Sequence, residues 1–163
     1  MHPIYGRAFG KTRATISTPY HRGNYMTIIG AISLNKIESI AYTEGSGNTS
    51  IFVSFIENFL LPILRNGNIV VMDNVSFHKS ETIKNLIESK GAKIIYSPPY
   101  SPELNPIEEM WSKVKNSLRK LSARTKYKFK EAIEKSLLAI TKTDLSGWFK
   151  HSGYIDQGLR EGL

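Results

Sequence analysis

Apolar and polar positions along the chain fall into segments with two different periods. "YMTIIGAISL" (25–34) and "IESIAYTEG" (37–45) are rich in β-branched and aromatic residues and flank a short turn at "NK", which predicts a β-hairpin. "TRATIST", nearer the start, is a further candidate strand. In "TSIFVSFIENFLLPIL" the apolar residues at 52, 55, 56, 59, 60 and 63 follow helical spacing. "NGNIVVMDN" reads as a turn and a wholly apolar strand ending at Asp73, a run that suits a central strand covered on both faces. Residues 79–90 pattern as a helix stopped by Gly91, and "AKIIYS" (92–97) as another strand. A long helix from about Pro106 to Ser122 follows, then one over 128–141, then the tail "GWFKHSGYIDQGL". Without a repeat or linker, the order predicts one α/β domain over residues 1–163, a hairpin first and strand–helix alternation after it.

Composition narrows the function classes. The 163 residues, 40% hydrophobic and 22% charged, are those of a globular domain. The longest apolar stretch, Ile51 to Leu64, is broken by Glu57, Asn58 and Pro62 and cannot span a bilayer, so no membrane partner is expected. No charged segment followed by an apolar one opens the chain, so nothing in it points to secretion. The absence of cysteine excludes disulfides and thiolate zinc sites and fits a reducing cytoplasm. Four scattered histidines show no metal-ligand spacing.

The net charge of +8 is concentrated. Lys113, Lys115, Arg119, Lys120, Arg124, Lys126, Lys128 and Lys130 lie between Trp111 and Lys130 with no acid among them. A solvated helix face would ordinarily carry acids within helical reach; their lack favours a polyanion. Lys113, Lys115, Arg119 and Lys120 are the candidate DNA contacts, with Arg7, Lys11 and Arg13 as an alternative surface.

"SPPYSPELNPIEEMW" (97–111) places Pro98, Pro99, Pro102 and Pro106 immediately before two glutamates. Asn105 is a good N-cap, Pro106 suits the first helical position, and Glu108 falls at the third. Ile107, Trp111, Val114, Leu118 and Leu121 form an apolar stripe that leaves Glu108 at the edge of the core. A capping-box glutamate reaching the Asn105 amide would account for Glu108 alone, and a capping turn residue for Asp73. Neither accounts for four prolines that fix φ along the approach, whereas a catalytic carboxylate must be held to fractions of an ångström. Converging carboxylates beside a basic patch suit Mg²⁺ or Mn²⁺, a pair of which can clamp the oxygens of a phosphodiester.

"VVMDNVSFHKS", 34 intervening residues between Asp73 and Glu108, and "SPPYSPELNPIEEMWSKVK" together resemble the catalytic domain of mariner-superfamily DDE transposases, most closely their bacterial insertion-sequence relatives. Weaker likeness extends to "YGRAFGKTR", "TIIGAISL" and "FKHSGYI". The resemblance implies an RNase H-like fold, a mixed sheet flanked by helices, and metal-dependent DNA cleavage and strand transfer. It matches Asp73 to the family's second catalytic aspartate and Glu108, not Glu109, to its last acid, both as ligands of a two-metal Mg²⁺ or Mn²⁺ site. Asn74 and His78 match flanking positions; for His78, orienting the loop or capping the next helix is the simpler reading.

The family's first acid lies on a central first strand, expected a short distance upstream of "YGRAFGKTR", where this sequence begins. Residues 1–72 hold no aspartate; their acids are Glu38, Glu44 and Glu57, of which Glu44 ends a hairpin strand and Glu57 is mid-helix, so neither of these two occupies the matching place. The expectation is therefore a catalytic domain truncated at its N-terminus, without its first strand and without a helix-turn-helix region, and inactive alone. Expected partners are DNA (transposon ends and target) and either a second copy or an upstream-encoded transposase segment; the expected location is the bacterial cytoplasm, at the nucleoid. A nuclease-inactive DNA-binding remnant is the alternative, needing only the basic segment. An RNase H-type hydrolase of RNA–DNA hybrids shares fold and metals, but the proline loop and its "NPIE" ending point away from it.

Overall fold

A computed structural model describes residues 26–75, 78, 80–121 and 126–155. "TRATIST", Arg7, Lys11, Arg13 and Arg124 lie outside them, as do the side chains of Leu121, Lys126 and Lys128. The described chain divides into two compact units, one of residues 26–110 with 141–155 and the other of 111–140.

In the first unit β1 (Met26–Ile32) and β2 (Ile37–Glu44) pair antiparallel, from Met26 opposite Glu44 to Ile32 opposite Ile37. The turn closes with the Ser33 amide donating to the Lys36 carbonyl at 2.9 Å. Asn48 caps α1 (Thr49–Phe55) by accepting from the Ile51 amide. That helix then loosens into a π turn over Ile56–Leu60, with the Leu61 amide reaching the Ile56 carbonyl at 2.8 Å. Pro62 has no N–H to continue the ladder and would crowd the preceding turn, so the helix widens and ends there. Phe52, Phe55, Ile56 and Leu60 are buried as the periodicity requires; Phe59 and Ile63 are not.

β3 (Ile69–Met72) and β4 (Lys93–Tyr96) pair in parallel, Ile69 opposite Lys93 and Met72 opposite Tyr96. The crossover is α2 (Glu81–Glu88), capped by Ser80 and closed at Gly91, whose φ of 70° a side chain would strain. Gly91 also receives Asn66 so closely that a Cβ would lie 2.4 Å from its Oδ1. Met72, Ile83, Ile87 and Ala92 join the α1 residues in one core, with Ile29, Ala31 and Ala41 of the hairpin packed on it. β3 departs from the expected fully covered strand. Ile69 is 59% exposed and only Met72 is buried, because β3 has one strand neighbour among the described residues. The two strand pairs form separate sheets there.

α3 (Pro106–Leu121) begins in the first unit and continues in the second, where α4 (Lys126–Leu138) follows. Pro106, Met110, Val114 and Leu118 are buried on α3, every fourth residue; Ile107 and Trp111, expected on the stripe, are half-buried flanks. α5 (Lys142–His151), whose second half lies in the stretch expected to be a tail, returns to the first unit. Thr141 and Asp144 form its capping box, each accepting from the other's amide, and Leu145 is buried. No helix of the described residues is long and apolar enough to cross a membrane.

Candidate active site

Asp73 directly follows β3, at the carboxyl end of a parallel pair, where α/β folds present ligand-binding groups. Its carboxylate pairs with Nδ1 of His78. The His78 ring is stacked on Phe52, with centroids 4.0 Å apart, and its backbone carbonyl accepts from the Tyr96 hydroxyl at 3.1 Å. Burial pushes His78 below its ordinary pKa, although the Asp73 carboxylate works in the opposite direction. A neutral ring with its proton on Nδ1 donates to one Asp73 oxygen and leaves the other available. His78 thus orients the loop, and the cap of the next helix is Ser80 instead. Asn74 Oδ1 and Ser97 Oγ are buried without hydrogen-bond partners among the described residues.

The proline loop leaves β4 beside this aspartate. The Ser97 amide donates to the carbonyl of Met72, the residue before Asp73, at 2.8 Å. Pro99 and Tyr100 form a turn, Pro102 opens a short 3₁₀ turn over Pro102–Leu104, and Pro106 opens α3. The Asn105 amide donates to Pro102 and the Glu108 amide to the Asn105 carbonyl, both at 3.0 Å. The amide that a capping-box Glu108 would satisfy therefore already has an acceptor. The Glu108 side chain is half-buried and makes no hydrogen bond or ion pair among the described residues.

Glu109 is differently placed. Its Oε1 accepts from Nδ1 of His151 at 2.5 Å. His151 ends α5, and the next residues brace the loop as well. The Ser152 hydroxyl donates to the Glu103 carbonyl at 2.9 Å and the Tyr154 hydroxyl to the Leu104 carbonyl at 2.8 Å. The bracing follows from how α5 stops. Gly153 takes φ 82°, its amide donates to Lys150, and the Tyr154 amide donates to Phe149. That is a Schellman closure, completed by the edge-to-face contact of Phe149 with Tyr154. The sequence reading missed this bracket; the Thr141-to-Asp144 spacing ahead of "LSGWF" was the signal for its helix.

Among the described residues no three acids or histidines gather to hold a metal. The donors present are oxygens: the free oxygen of Asp73, the orphaned Asn74 Oδ1 and the Glu108 carboxylate. Oxygen is the ligand type that a hard divalent cation such as Mg²⁺ or Mn²⁺ takes. The basic candidates belong to the second unit. Lys115 and Lys120 are exposed, Lys113 is half-buried, and Arg119 donates to Asn116 Oδ1 at 2.8 Å.

The family model described as DDE superfamily endonuclease matches residues 3–131. The chain belongs to the DDE superfamily endonuclease family. Its curated relatives include the transposable element Tcb2 transposase of Caenorhabditis briggsae, 26% identical over 112 residues, 66% of this chain and 41% of that one. The chain thus spans less than half the length of this DDE relative. Among solved structures, the Mos1 strand transfer complex superposes with a TM-score of 0.76 at 14% identity, over 94% of this chain and 48% of that one. The Mos1 mariner paired-end complex with Mn gives 0.76 at 13% identity over the same shares, 94% and 48%. At these identities the likeness carries the fold, a mixed α/β architecture matching the Mos1 transposase catalytic domain, which is RNase H-like.

Proposed function

We propose that residues 1–163 are the larger part of a DDE transposase catalytic domain of the insertion-sequence type, acting on transposon-end and target DNA in the bacterial cytoplasm. The observation that carries this reading is the contrast between two adjacent glutamates: Glu109 is taken by His151, while Glu108, on a braced helix start, has no partner among the described residues. A carboxylate held in place and kept free of partners suits metal ligation.

Asp73 and Glu108 would hold the divalent ions, which when bound offset phosphate charge and favour attack on the scissile bond. The chain's own residues do the placing. His78 fixes one Asp73 oxygen and so turns the other outward. The four prolines and the hydroxyls of Ser152 and Tyr154 hold the approach to Glu108. Lys113, Lys115, Arg119 and Lys120 supply attraction for the phosphate backbone without reading bases.

The family resemblance calls for a third acid, and residues 1–72 offer no aspartate. We therefore propose that this 163-residue form does not nick DNA, and that a strand bearing the first acid, from an upstream segment, completes the site. The experiment is a nicking assay on supercoiled DNA over a range of Mg²⁺ and Mn²⁺, with Glu108→Ala as control. Cleavage that depends on Glu108 in this form would show that another residue replaces the missing acid.

The second reading, a DNA-binding remnant, draws on the basic segment alone. It predicts affinity that falls with salt and ignores both metal and Glu108.

A further inference from the structure

Tyr100 combines two costs that folding does not explain. Its φ is 58°, the only positive value at a described non-glycine residue, and its side chain is fully exposed, at 102%. A turn with proline at its first central position and positive φ at its second ordinarily takes Gly or Asn there, because a Cβ is strained by about 1–2 kcal/mol in that region. An exposed aromatic ring buries nothing in return. Strain of this kind persists where surrounding structure imposes it, and it gathers at functional sites.

The surroundings impose it here. Pro98 and Pro99 precede Tyr100, and Pro102 stands two residues after it. The loop is tied at one end by the Ser97 amide to Met72, next to Asp73. At the other it is tied by Ser152 and Tyr154 to the carbonyls of Glu103 and Leu104, just before Glu108. The ring therefore stands on a stiff loop whose two ends lead to the two candidate metal ligands.

We propose that Tyr100 is a stacking platform for an unpaired nucleobase of the DNA strand at this site. A fully exposed aromatic face suits a base plane, and stacking of this kind does not discriminate sequence. A base within a duplex has both faces covered, so the ligand is an unpaired nucleotide. This inference rests on the DNA reading above and adds a contact that carries no charge.

The test is titration of the chain with a short single-stranded oligonucleotide carrying one 2-aminopurine, followed by fluorescence and by affinity at several salt concentrations. Tyr100→Phe keeps the ring. Tyr100→Gly removes it while relieving the backbone, so its thermal midpoint should hold or rise. The unsubstituted chain and Tyr100→Phe should quench the probe and bind alike. Tyr100→Gly should lose the quenching and bind roughly five- to a hundred-fold more weakly with the same salt slope. Equal binding by Tyr100→Gly, or a loss in Tyr100→Phe as large as in Tyr100→Gly, overturns the stacking role alone. A chain that binds neither single-stranded nor duplex DNA overturns the DNA reading with it.

Discussion

The first turn of α3 and the turns beyond it are held in different ways. Around Glu108 the braces come from far along the chain: His151 to Glu109, Ser152 to Glu103 and Tyr154 to Leu104 span 42 to 50 residues. Further along, Arg119 ties to Asn116 three residues away and, on the following helix, Lys135 to Glu131 one turn apart. Long-range bonds fix a position relative to the rest of a fold, whereas local ones hold a side chain only to its own helix. On the proposed function, the difference would separate a region built for placement from one built for charge, since phosphate attraction tolerates movement that metal ligation does not.

The widest gap between neighbours should appear at the two glutamates. In a transposase carrying this segment behind a first-acid strand, Glu108→Ala should cut strand cleavage by roughly 10³-fold or more, as loss of several kcal/mol of metal-assisted stabilisation implies. Glu109→Ala should cost less than about tenfold, since it removes an exposed pair worth under roughly 1 kcal/mol. Both should melt near the parent. Equal losses would erase the distinction between them.

Removing charge should leave placement untouched. The quadruple change of Lys113, Lys115, Arg119 and Lys120 to Ala should weaken DNA binding on every sequence and lower the salt slope by up to roughly 3–4. A filter-binding series over salt reads this directly. Unchanged affinity would move the DNA surface away from α3.

Loosening the brace should do the converse. Ser152→Ala and Tyr154→Phe each remove one hydroxyl donor and should cost about 1 kcal/mol in thermal or urea unfolding. In the completed transposase they should lower kcat with little change in DNA affinity. A change in affinity without a change in kcat would mean that the tail serves the DNA surface.

The smallest effect concerns pH. The folded chain holds His78 below its ordinary pKa of 6.5, so the unfolded chain takes up the proton first as pH falls. Protonation then favours unfolding, and stability should decline from about pH 6.5 downward, flattening once the folded form is protonated too. His78→Gln should remove that part of the decline. A parent and variant with identical pH profiles would contradict the buried neutral ring.

Much of this was legible in the chain. β-branched and aromatic runs on either side of "NK" marked the hairpin, "NIVVMD" and "AKIIYS" marked the parallel pair, and Asn105 and Pro106 marked the start of α3 to the residue. Local chemistry sets those features, so a local reading finds them. The π turn needed the effect of Pro62 on the preceding ladder to be followed back through the helix. The exposed Ile69 depended on which strands lie beside β3, which an apolar run does not specify. The brace at 151–154 was least visible. Hydroxyls donating to loop carbonyls some fifty residues away leave no periodic trace, and the local signals of α5, the Thr141-to-Asp144 spacing and Gly153, went unread beside a tail without apolar periodicity.

The central claim, that Asp73 and Glu108 serve one metal site, is tested most directly by Mn²⁺ titration of the chain, read by water-proton relaxation or calorimetry. Parent, Asp73→Asn, Glu108→Gln and Glu109→Gln would be compared. Weak binding is expected in the parent and in Glu109→Gln, and is lost in Asp73→Asn and in Glu108→Gln alike. Binding that survives either of the last two substitutions unchanged would contradict the claim.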